Sequence, residues 1–360
     1  MAAPISITPN WHHNGSLPFD TIIDVRSPAE YELDHIPGAI NMPVLSNDER
    51  AEVGTIYKQQ SPFLARKRGA ALISQNIAAH LDKTLKDKNH DWSPLVYCWR
   101  GGQRSGAMAR IFSEIGWSVS VLEGGYKHYR RQVQDGLASI AKTMKPVLLD
   151  GPTGSGKTLI LHALKDQGVQ VIDLEDIACH RGSVLGAIPD QEQPAQRLFE
   201  SLLYQALRSI DLTKTVVMEA ESSKIGGLHI PDVIWKAMLG ASCINISTKL
   251  DARVDHILNE YHHITTEPDA LLRLIHGMTN RHGYAITDEW KTLVADKQWR
   301  GLVMNVIAQH YDPAYQGSSG RRQRRVLGAV HLDALEQDHL YQAARDIKAL
   351  VLDQDKESVF

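Results

Sequence analysis

Two short stretches of this 360-residue chain combine glycines with side chains that can carry out chemistry. The first is CWRGGQRS, residues 98–105, which lies between an apolar run typical of a buried strand and a sequence typical of a helix start. The second is GPTGSGKT, residues 151–158. Glycine-rich loops that open a helix hold anions through their backbone N–H groups. The sequence therefore predicts two anion-binding loops in one chain.

The first loop predicts an activated cysteine. Cationic neighbours and a helix N-terminus lower the pKa of a thiol, and Cys98 has Arg100 and Arg104 nearby. Paired glycines let the backbone turn several N–H groups toward the sulfur. We predict that Cys98, Arg100 and Arg104 are catalytic; a buried cysteine with unrelated surface arginines is the alternative. The predicted anion nest comprises Gly101, Gly102, Gln103 and Ser105.

The second loop matches the pattern G-x-x-x-x-G-K-[ST] and lies between a strand-like run, 145–150, and a helix-like run, 158–168. Lys157 would add a charge, catalytic in our prediction, and the Thr158 hydroxyl would reach a magnesium ion. Glu219, which ends another strand-like run, is the second candidate metal ligand. The motif alone does not choose between ATP and a diphosphate ester. The predicted phosphate-binding residues are Gly151, Gly154, Ser155, Gly156, Lys157 and Thr158.

Three other charged residues are weaker candidates near the second loop. Asp173 and Glu175 follow a strand-like run with a spacing similar to that of Glu219 and Glu221. Arg253 begins a predicted helix and could close over a bound phosphate. For each of them, an ordinary solvated side chain is the alternative.

Strand-like and helix-like runs alternate twice along the chain, as parallel sheets covered by helices require. Strand signals fade after about residue 250, and helical patterns follow. We predict an α/β chain in three parts. A parallel-sheet domain spans 1–140, a P-loop NTPase-like α/β domain spans 141–250, and a helical C-terminal region spans 251–360.

Composition limits the class of protein. The chain is 43% apolar and 22% charged with a net charge of -3, so nucleic-acid binding must depend on local basic patches. Three cysteines without a CxxC pattern, and no apolar run long enough for a bilayer, favour a cytoplasmic protein with no membrane partner. The N-terminal residues lack the pattern of a signal peptide.

Three motifs of the first part resemble the rhodanese family. They are IDVRSPAEYELDHIPGAINMP, YCWRGGQRS and VLEGGYKHYR, and they cover about residues 15–135. In that family the loop cysteine carries sulfur as a persulfide. The loop after Cys98 is longer than in single-domain rhodaneses, so it would admit something larger than thiosulfate. The first part is therefore predicted to be a rhodanese-like domain.

The whole chain resembles the tRNA 2-selenouridine synthase family through the further motifs HRGSVLG, QPAQRLFE, MEAESSKIG and HYDPAY. The resemblance implies an enzyme that replaces sulfur by selenium in the wobble 2-thiouridine of tRNA, with selenophosphate as donor. It also implies an S-geranyl-2-thiouridine intermediate made from geranyl diphosphate. Cys98 would be the essential residue of the rhodanese-like domain. The implied partners are tRNA and a selenophosphate-supplying enzyme, with magnesium as the candidate metal and no prosthetic group.

A tRNA substrate needs a basic surface, and such surfaces contact mainly phosphates. In addition to the main candidates named below, residues 66–68, Arg130 and Arg131 are candidates for this surface. Trp99 could stack an unpaired anticodon base. A solvated charge run is the alternative for each patch. The main candidates come from the run GRRQRR and are Arg321, Arg322, Arg324 and Arg325.

Other functions would use the same parts. The leading alternative is a rhodanese-type persulfide sulfurtransferase whose P-loop binds ATP to activate an acceptor. A nucleotide-gated binding module would need neither the thiol nor both loop arginines. A small-molecule kinase would leave the first domain without a role.

Overall fold

The structure, a computed structural model, describes residues 2–11, 19–183, 186–261, 268–317 and 324–357. The chain divides into two compact units. The first unit comprises Met1–Gly136 and Pro194–Gln205, and the second comprises Leu137–Gln193 and Ala206–Phe360.

The first unit is built on one five-stranded parallel sheet with the order β1-β5-β4-β2-β3. Helices cover the sheet, and every residue of β4 is buried, as expected for a continuous apolar run in a parallel sheet. The strands are β1 (Ile5–Thr8), β2 (Thr21–Asp24), β3 (Ile40–Asn41), β4 (Pro94–Tyr97) and β5 (Val119–Leu122). The helices are α1 (Pro28–Leu33), α2 (Asn47–Gln59), α3 (Pro62–Lys83), α4 (Gln103–Ile115) and α5 (Gly125–Thr143), of which the residues from Leu137 on belong to the second unit.

A segment from the middle of the chain, 194–205, also belongs to the first unit. It contains most of the helix Gln196–Arg208. The Ser201 hydroxyl donates a 2.7 Å hydrogen bond to the buried Asp34 carboxylate, and Glu200 forms an ion pair with Arg130. Packing therefore groups this segment with residues far away in sequence.

The second unit is built on a second five-stranded parallel sheet with the order β12-β11-β6-β8-β7. The prediction of two parallel α/β sheets is thus confirmed. A two-stranded antiparallel hairpin, formed by β9 and β10, is separate from this sheet. In chain order the strands are β6 (Lys145–Asp150), β7 (Val171–Ile172), β8 (Thr215–Glu219), β9 (Lys224–Ile225), β10 (Leu228–His229), β11 (Ser242–Thr248) and β12 (Val326–Leu332).

The chain after residue 250 is mainly helical, as predicted, but it returns to the sheet at β12. The sequence analysis missed this strand. The helices between β6 and β11 are α6 (Lys157–Asp166), α7 (Leu174–Ile177), α8 (Gln196–Arg208) and α9 (Asp232–Leu239). The helices after residue 249 are α10 (Leu250–Glu260), α11 (Pro268–Gly277), α12 (Thr279–His282), α13 (Tyr284–Ala295), α14 (Trp299–Val306), a π-helix (Ile307–Tyr311), α15 (Asp312–Gly317) and α16 (Gln337–Glu357).

Three apolar clusters among the described residues stabilise the second unit. One lies between the sheet and its helices, where Leu161 of α6 and Ile347 of α16 are buried with Leu149. Another lies among the C-terminal helices around the fully buried Trp290, and a small third cluster contains Val254, Ile257 and Ile307. Among the described residues, no helix has both the length and the apolar character needed to span a bilayer.

Candidate active sites

Cys98 directly follows β4, at the carboxyl edge of the first sheet, and is 4% exposed. The next residues turn sharply because Gly101 has a φ of +67°, a conformation that glycine adopts without steric cost. Helix α4 then starts at Gln103, which is exposed. The predicted strand–loop–helix arrangement places the sulfur close to a helix N-terminus.

The start of α5 lies against the cysteine loop. The Tyr126 N–H donates to the Cys98 carbonyl at 2.8 Å, and the Lys127 N–H donates to the Trp99 carbonyl at 3.0 Å. A Cβ atom on Gly125 would stand 2.3 Å from the Cys98 carbonyl oxygen, so glycine is required for this close approach. The loop is thereby held by backbone contacts with α5.

Hydrogen bonds converge on the Cys98 sulfur. The Gly102 N–H donates at 3.3 Å and the Ser105 hydroxyl at 3.2 Å. Burial raises the pKa of the Cys98 thiol, but hydrogen bonds from the Ser105 hydroxyl and N–H oppose burial. The Arg100 N–H and the Arg104 charge add to that opposition, so the pKa lies below its ordinary value. The loop can therefore hold a thiolate or another anion.

The two loop arginines have different surroundings. Arg104 forms a two-pronged ion pair with Glu30, through bonds of 2.6 and 3.3 Å. Its charge is therefore largely compensated before any ligand binds. Arg100 is exposed, and its side chain has no ion pair within the described part of the chain. Arg100 is the more available of the two for an incoming anion.

Asp24 and Arg26, which belong to the first rhodanese-like motif, form a buried ion pair that contacts the start of α5. Arg26 is almost fully buried and is bonded to Asp24 at 2.6 to 3.0 Å. Its guanidinium lies 3.9 Å from the ring centre of Tyr126, at the start of α5. A buried charge with a full set of partners fixes its neighbours. Asp24 and Arg26 thus position α5, which in turn holds the cysteine loop.

The second loop connects β6 to α6. Gly154 and Gly156 have φ values of +78° and +82°. A Cβ atom on Gly151 would lie 2.6 Å from the Ser155 hydroxyl oxygen, which is buried with no described hydrogen-bond partner. The Lys157 ammonium group donates to the Gly151 carbonyl at 3.0 Å. Lys157 thus curls over the loop, close to where a phosphate would sit.

A cavity of about 550 Å³ opens in front of this loop. Residues of the motif HRGSVLG form one wall, together with Glu221 and Tyr261. A volume of this size accommodates a small organic ligand with a diphosphate group. Within the second unit the cavity joins every predicted phosphate-binding residue: Gly151, Gly154, Ser155, Gly156, Lys157 and Thr158.

Glu175 is the carboxylate nearest to the predicted metal ligand Thr158. The Thr158 hydroxyl donates to Glu175 at 3.2 Å. Burial, followed by the negative Glu221 nearby, raises the pKa of Glu175 to about 8, although Lys157 acts in the opposite direction. Glu175 is therefore mostly neutral at pH 7 and adds little repulsion to a bound anion. From the sequence, Glu175 is a weaker candidate than Glu219.

Glu219 occupies a different environment from the one expected of a metal ligand. It is fully buried, accepts a 3.0 Å hydrogen bond from the Leu174 N–H, and does not line the cavity. Burial and the adjacent Asp173 raise its pKa well above the ordinary range. Over the residues that the structure describes, no group of three or more His, Cys, Asp or Glu side chains is arranged to hold a metal ion.

Arg253 supports the P-loop instead of closing over a phosphate. It is 6% exposed and donates two hydrogen bonds, of 3.0 and 2.9 Å, to the Thr153 carbonyl. The same guanidinium pairs with Asp312 at 2.7 Å. Arg253 therefore ties the glycine loop to α10 and α15, and this arrangement corrects the expected role.

Arg181 is a cavity residue that the sequence analysis did not single out. It pairs with Glu260 at 3.2 Å and lies 5.1 Å from the ring centre of Tyr261. One of its terminal nitrogens is buried without a hydrogen-bond partner among the described residues. Its position within the motif HRGSVLG was the only sequence signal for it.

The structure describes two of the four arginines predicted to bind tRNA. Arg321 and Arg322 lie outside the described residues. The Arg324 side chain is 3% exposed and 3.8 Å from Asp150, so it is buried instead of forming part of an open basic surface. Arg325 is exposed. Of the further candidates, Arg68 pairs with Glu52 and Arg130 pairs with Glu200.

An apolar cleft in the second unit adjoins the cavity in front of the second loop. We call that cavity the phosphate cavity, because the predicted phosphate-binding residues line it. It is narrow, about 60 Å³, and α10, α14 and the π-helix contribute to its walls. The cleft and the cavity have four lining residues in common: Thr153, Ile257, Tyr261 and Tyr311. An apolar cleft therefore continues directly from the cavity that contains the predicted phosphate-binding residues.

Comparison with known protein families matches both parts of the chain. Residues 8–132 match the rhodanese-like domain. Residues 144–270 match the model described as the tRNA 2-selenouridine synthase AAA domain. The two matches cover the cysteine loop and the P-loop respectively.

Curated relatives cover most of the chain. The tRNA 2-selenouridine synthase of Nitrosomonas europaea is 34% identical over 251 residues, which span 69% of this chain and 64% of the relative. Those of Shewanella pealeana and Shewanella halifaxensis are 31% and 32% identical, each over 85% of this chain and 90% of the relative. A solved N-terminal domain of a putative ATP/GTP binding protein from Clostridium difficile 630 is 43% identical over 31% of this chain and 88% of its own. Its TM-score of 0.29 is too low to establish a shared fold.

Proposed function

Because this chain belongs to the tRNA 2-selenouridine synthase family, we propose that it replaces sulfur by selenium in the wobble 2-thiouridine of tRNA, with selenophosphate as donor. The reaction would run in two steps. Geranyl diphosphate first alkylates the sulfur, and selenium then displaces the alkylated sulfur.

The observation that carries this proposal is the junction of the phosphate cavity with the apolar cleft. Geranyl diphosphate has a diphosphate head and a ten-carbon apolar tail. The head would lie on the P-loop, and the tail would pass Ile257 and Tyr261 into the cleft. The cleft of about 60 Å³ has room for only a few waters at roughly 10–15 Å³ each, so its side chains must move apart when the tail enters.

Alkylation of the 2-thiouridine sulfur turns it into a better leaving group. Sulfide leaves carbon poorly, whereas a thiol is an acceptable leaving group. In the first step the sulfur of 2-thiouridine bonds to C1 of the geranyl group, the C1–O bond breaks, and diphosphate departs. The uridine loses its N3 proton. Lys157 and the P-loop N–H groups would stabilise the charge that develops on the departing diphosphate.

Thr158, together with Glu175 once its carboxyl has lost its proton, would hold a magnesium ion, since magnesium binds through one or two carboxylates together with substrate phosphates. When bound, the ion neutralises charge on the diphosphate.

In the second step we assign the Cys98 loop to selenophosphate. Selenium attacks C2 of the uridine, the C2–S bond breaks, and the departing sulfur takes up a proton as geranylthiol. Water then cleaves the Se–P bond to release phosphate and 2-selenouridine. Selenium in selenophosphate is already fully reduced, so a perselenide on Cys98 would need an added oxidant. We therefore infer that the loop N–H groups and Arg100 hold the donor anion beside the Cys98 sulfur.

The test uses the full chain, tRNA carrying 2-thiouridine, geranyl diphosphate and selenophosphate, with mass spectrometry of the digested nucleosides. The wild type should form S-geranyl-2-thiouridine and 2-selenouridine. Lys157→Ala should lose geranylation, and Cys98→Ser should accumulate the geranylated nucleoside. Lys165→Ala, on the exposed end of α6, and Cys179→Ser are matched controls. Formation of neither product by the wild type would overturn the proposal and favour the ATP-dependent sulfurtransferase.

A further inference from the structure

A group of cationic side chains lies next to the cysteine loop in the first unit. An open pocket of about 380 Å³ is lined by Arg100 from the loop and by Gly124, Lys127, His128 and Arg131 around the start of α5. Among the residues that the structure describes, no carboxylate contributes to the lining. We call this group the α5 cationic surface.

The charges of this surface are uncompensated, unlike those of nearby arginines. Arg26, Arg104 and Arg130 each form an ion pair with a carboxylate. Arg100, Lys127 and Arg131 are exposed, and none of the three has an ion pair within the described ranges. These three charges remain free for an external anion.

The arrangement is unfavourable for α5 itself. Lys127 and Arg131 are four residues apart and therefore share one face of the helix, where like charges repel. They also lie in its first two turns, where the helix dipole favours acidic side chains, and the first turn has none. The helix dipole and the side chains together create a strongly positive potential that attracts anions.

The surface is fixed to the reactive loop. The backbone of Lys127 is bonded to Trp99, the residue after Cys98, and Gly125 touches the loop backbone. Trp99 is 37% exposed, and its ring lies 5.2 Å from that of Tyr126. An exposed aromatic ring beside free cations is the combination that binds single-stranded RNA, through base stacking and phosphate contacts.

We propose that the α5 cationic surface, through Lys127 and Arg131, binds the backbone phosphates of the RNA strand that delivers its base to Cys98. This inference rests on the proposed function, which makes tRNA the substrate. A base that reaches the Cys98 loop brings the phosphates of its neighbouring nucleotides to the same face. The surface is open and lined by exposed cations, which suits a flexible polyanion better than a small anion.

The test measures the affinity of the full chain for tRNA carrying 2-thiouridine by fluorescence anisotropy, between about 50 and 300 mM salt. Loss of two phosphate contacts reduces the slope of log affinity against log salt by about 1.4 to 1.8. The double variant Lys127→Gln/Arg131→Gln should therefore bind roughly 20 to 60 times more weakly at 0.1 M salt. The matched control is Lys83→Gln/Lys86→Gln, which removes two exposed lysines at the end of α3 and just after it, before β4, at the opposite edge of the sheet.

The outcomes separate this inference from the proposed function. A wild-type affinity and salt slope in the Lys127→Gln/Arg131→Gln variant would overturn the inference and leave the proposed function intact. Failure of the wild type to bind tRNA would overturn both. A variant that keeps its tRNA affinity but needs more selenophosphate would assign the surface to the donor anion, which also contradicts the inference. Weaker tRNA binding with an unchanged selenophosphate requirement would support it.

Discussion

The Ser105 hydroxyl, in the first turn of the helix that follows the loop, lies 3.2 Å from the Cys98 sulfur and donates a hydrogen bond to it. This bond opposes the effect of burial on the thiol and favours the thiolate. The reactive group is therefore adjusted by a neutral side chain as well as by the nearby arginines.

Ser105→Ala should raise the pKa of Cys98. A hydrogen bond to a charged group contributes about 1.5–3 kcal/mol, which corresponds to an increase in pKa of roughly 1 to 2. The measurement is the pH dependence of Cys98 alkylation, followed by peptide mass spectrometry so that Cys179 and Cys243 are distinguished. Ser74→Ala, on an exposed helix face, is the control. An unchanged alkylation profile in Ser105→Ala would show that the hydroxyl does not act on the thiolate.

Gly125→Ala should destabilise the first unit by more than about 2 kcal/mol, because the new Cβ would lie 2.3 Å from the Cys98 carbonyl at a φ of +57°. Gly106→Ala is the matched control in α4, where a Cβ would meet nothing within 4 Å. That change should stabilise the protein by about 0.5–1 kcal/mol. Urea unfolding followed by circular dichroism measures both. Equal stability of the two variants would contradict the proposed packing of α5 on the loop.

Diphosphate binding without magnesium should weaken as the pH rises through 8. The pKa of Glu175 is raised to about 8, so its carboxyl is neutral below that pH and negative above it. A negative charge beside Lys157 repels the ligand, and affinity should fall about tenfold between pH 7 and pH 9.5. Titration calorimetry with inorganic diphosphate measures the effect. Glu175→Gln removes the titrating group, so its profile should show only the ligand's own ionisation; a parallel fall in both proteins would exclude Glu175 as the cause.

Val303→Phe should obstruct the apolar cleft without disturbing the P-loop. Val303 is half-buried in the cleft wall and is absent from the lining of the phosphate cavity. The KM for geranyl diphosphate should rise at least about tenfold, while the affinity for inorganic diphosphate should change less than about twofold. Leu352→Phe, on the exposed side of α16, is the control. Unchanged geranylation kinetics in Val303→Phe would place the geranyl tail elsewhere.

The sequence by itself determined both reactive loops and the two parallel sheets. Those features depend on local patterns: apolar runs of strand length, glycines beside Cys98 and Lys157, and the helix starts that follow each loop. The strand β12 escaped prediction because Val326–Leu332 contains a glycine and alternates weakly. Only its parallel pairing with β11 makes it a strand.

The tertiary structure alone decided which charged groups are available. Arg104 is compensated by Glu30, a residue 74 positions away, while the neighbouring Arg100 stays free. The Arg253 guanidinium donates hydrogen bonds to the Thr153 carbonyl, 100 residues away in sequence, and is therefore already engaged. A charged side chain acts according to its partners and its burial, and both are set by residues distant in sequence. Residue types and spacing therefore locate chemistry, but the packed fold selects the groups that perform it.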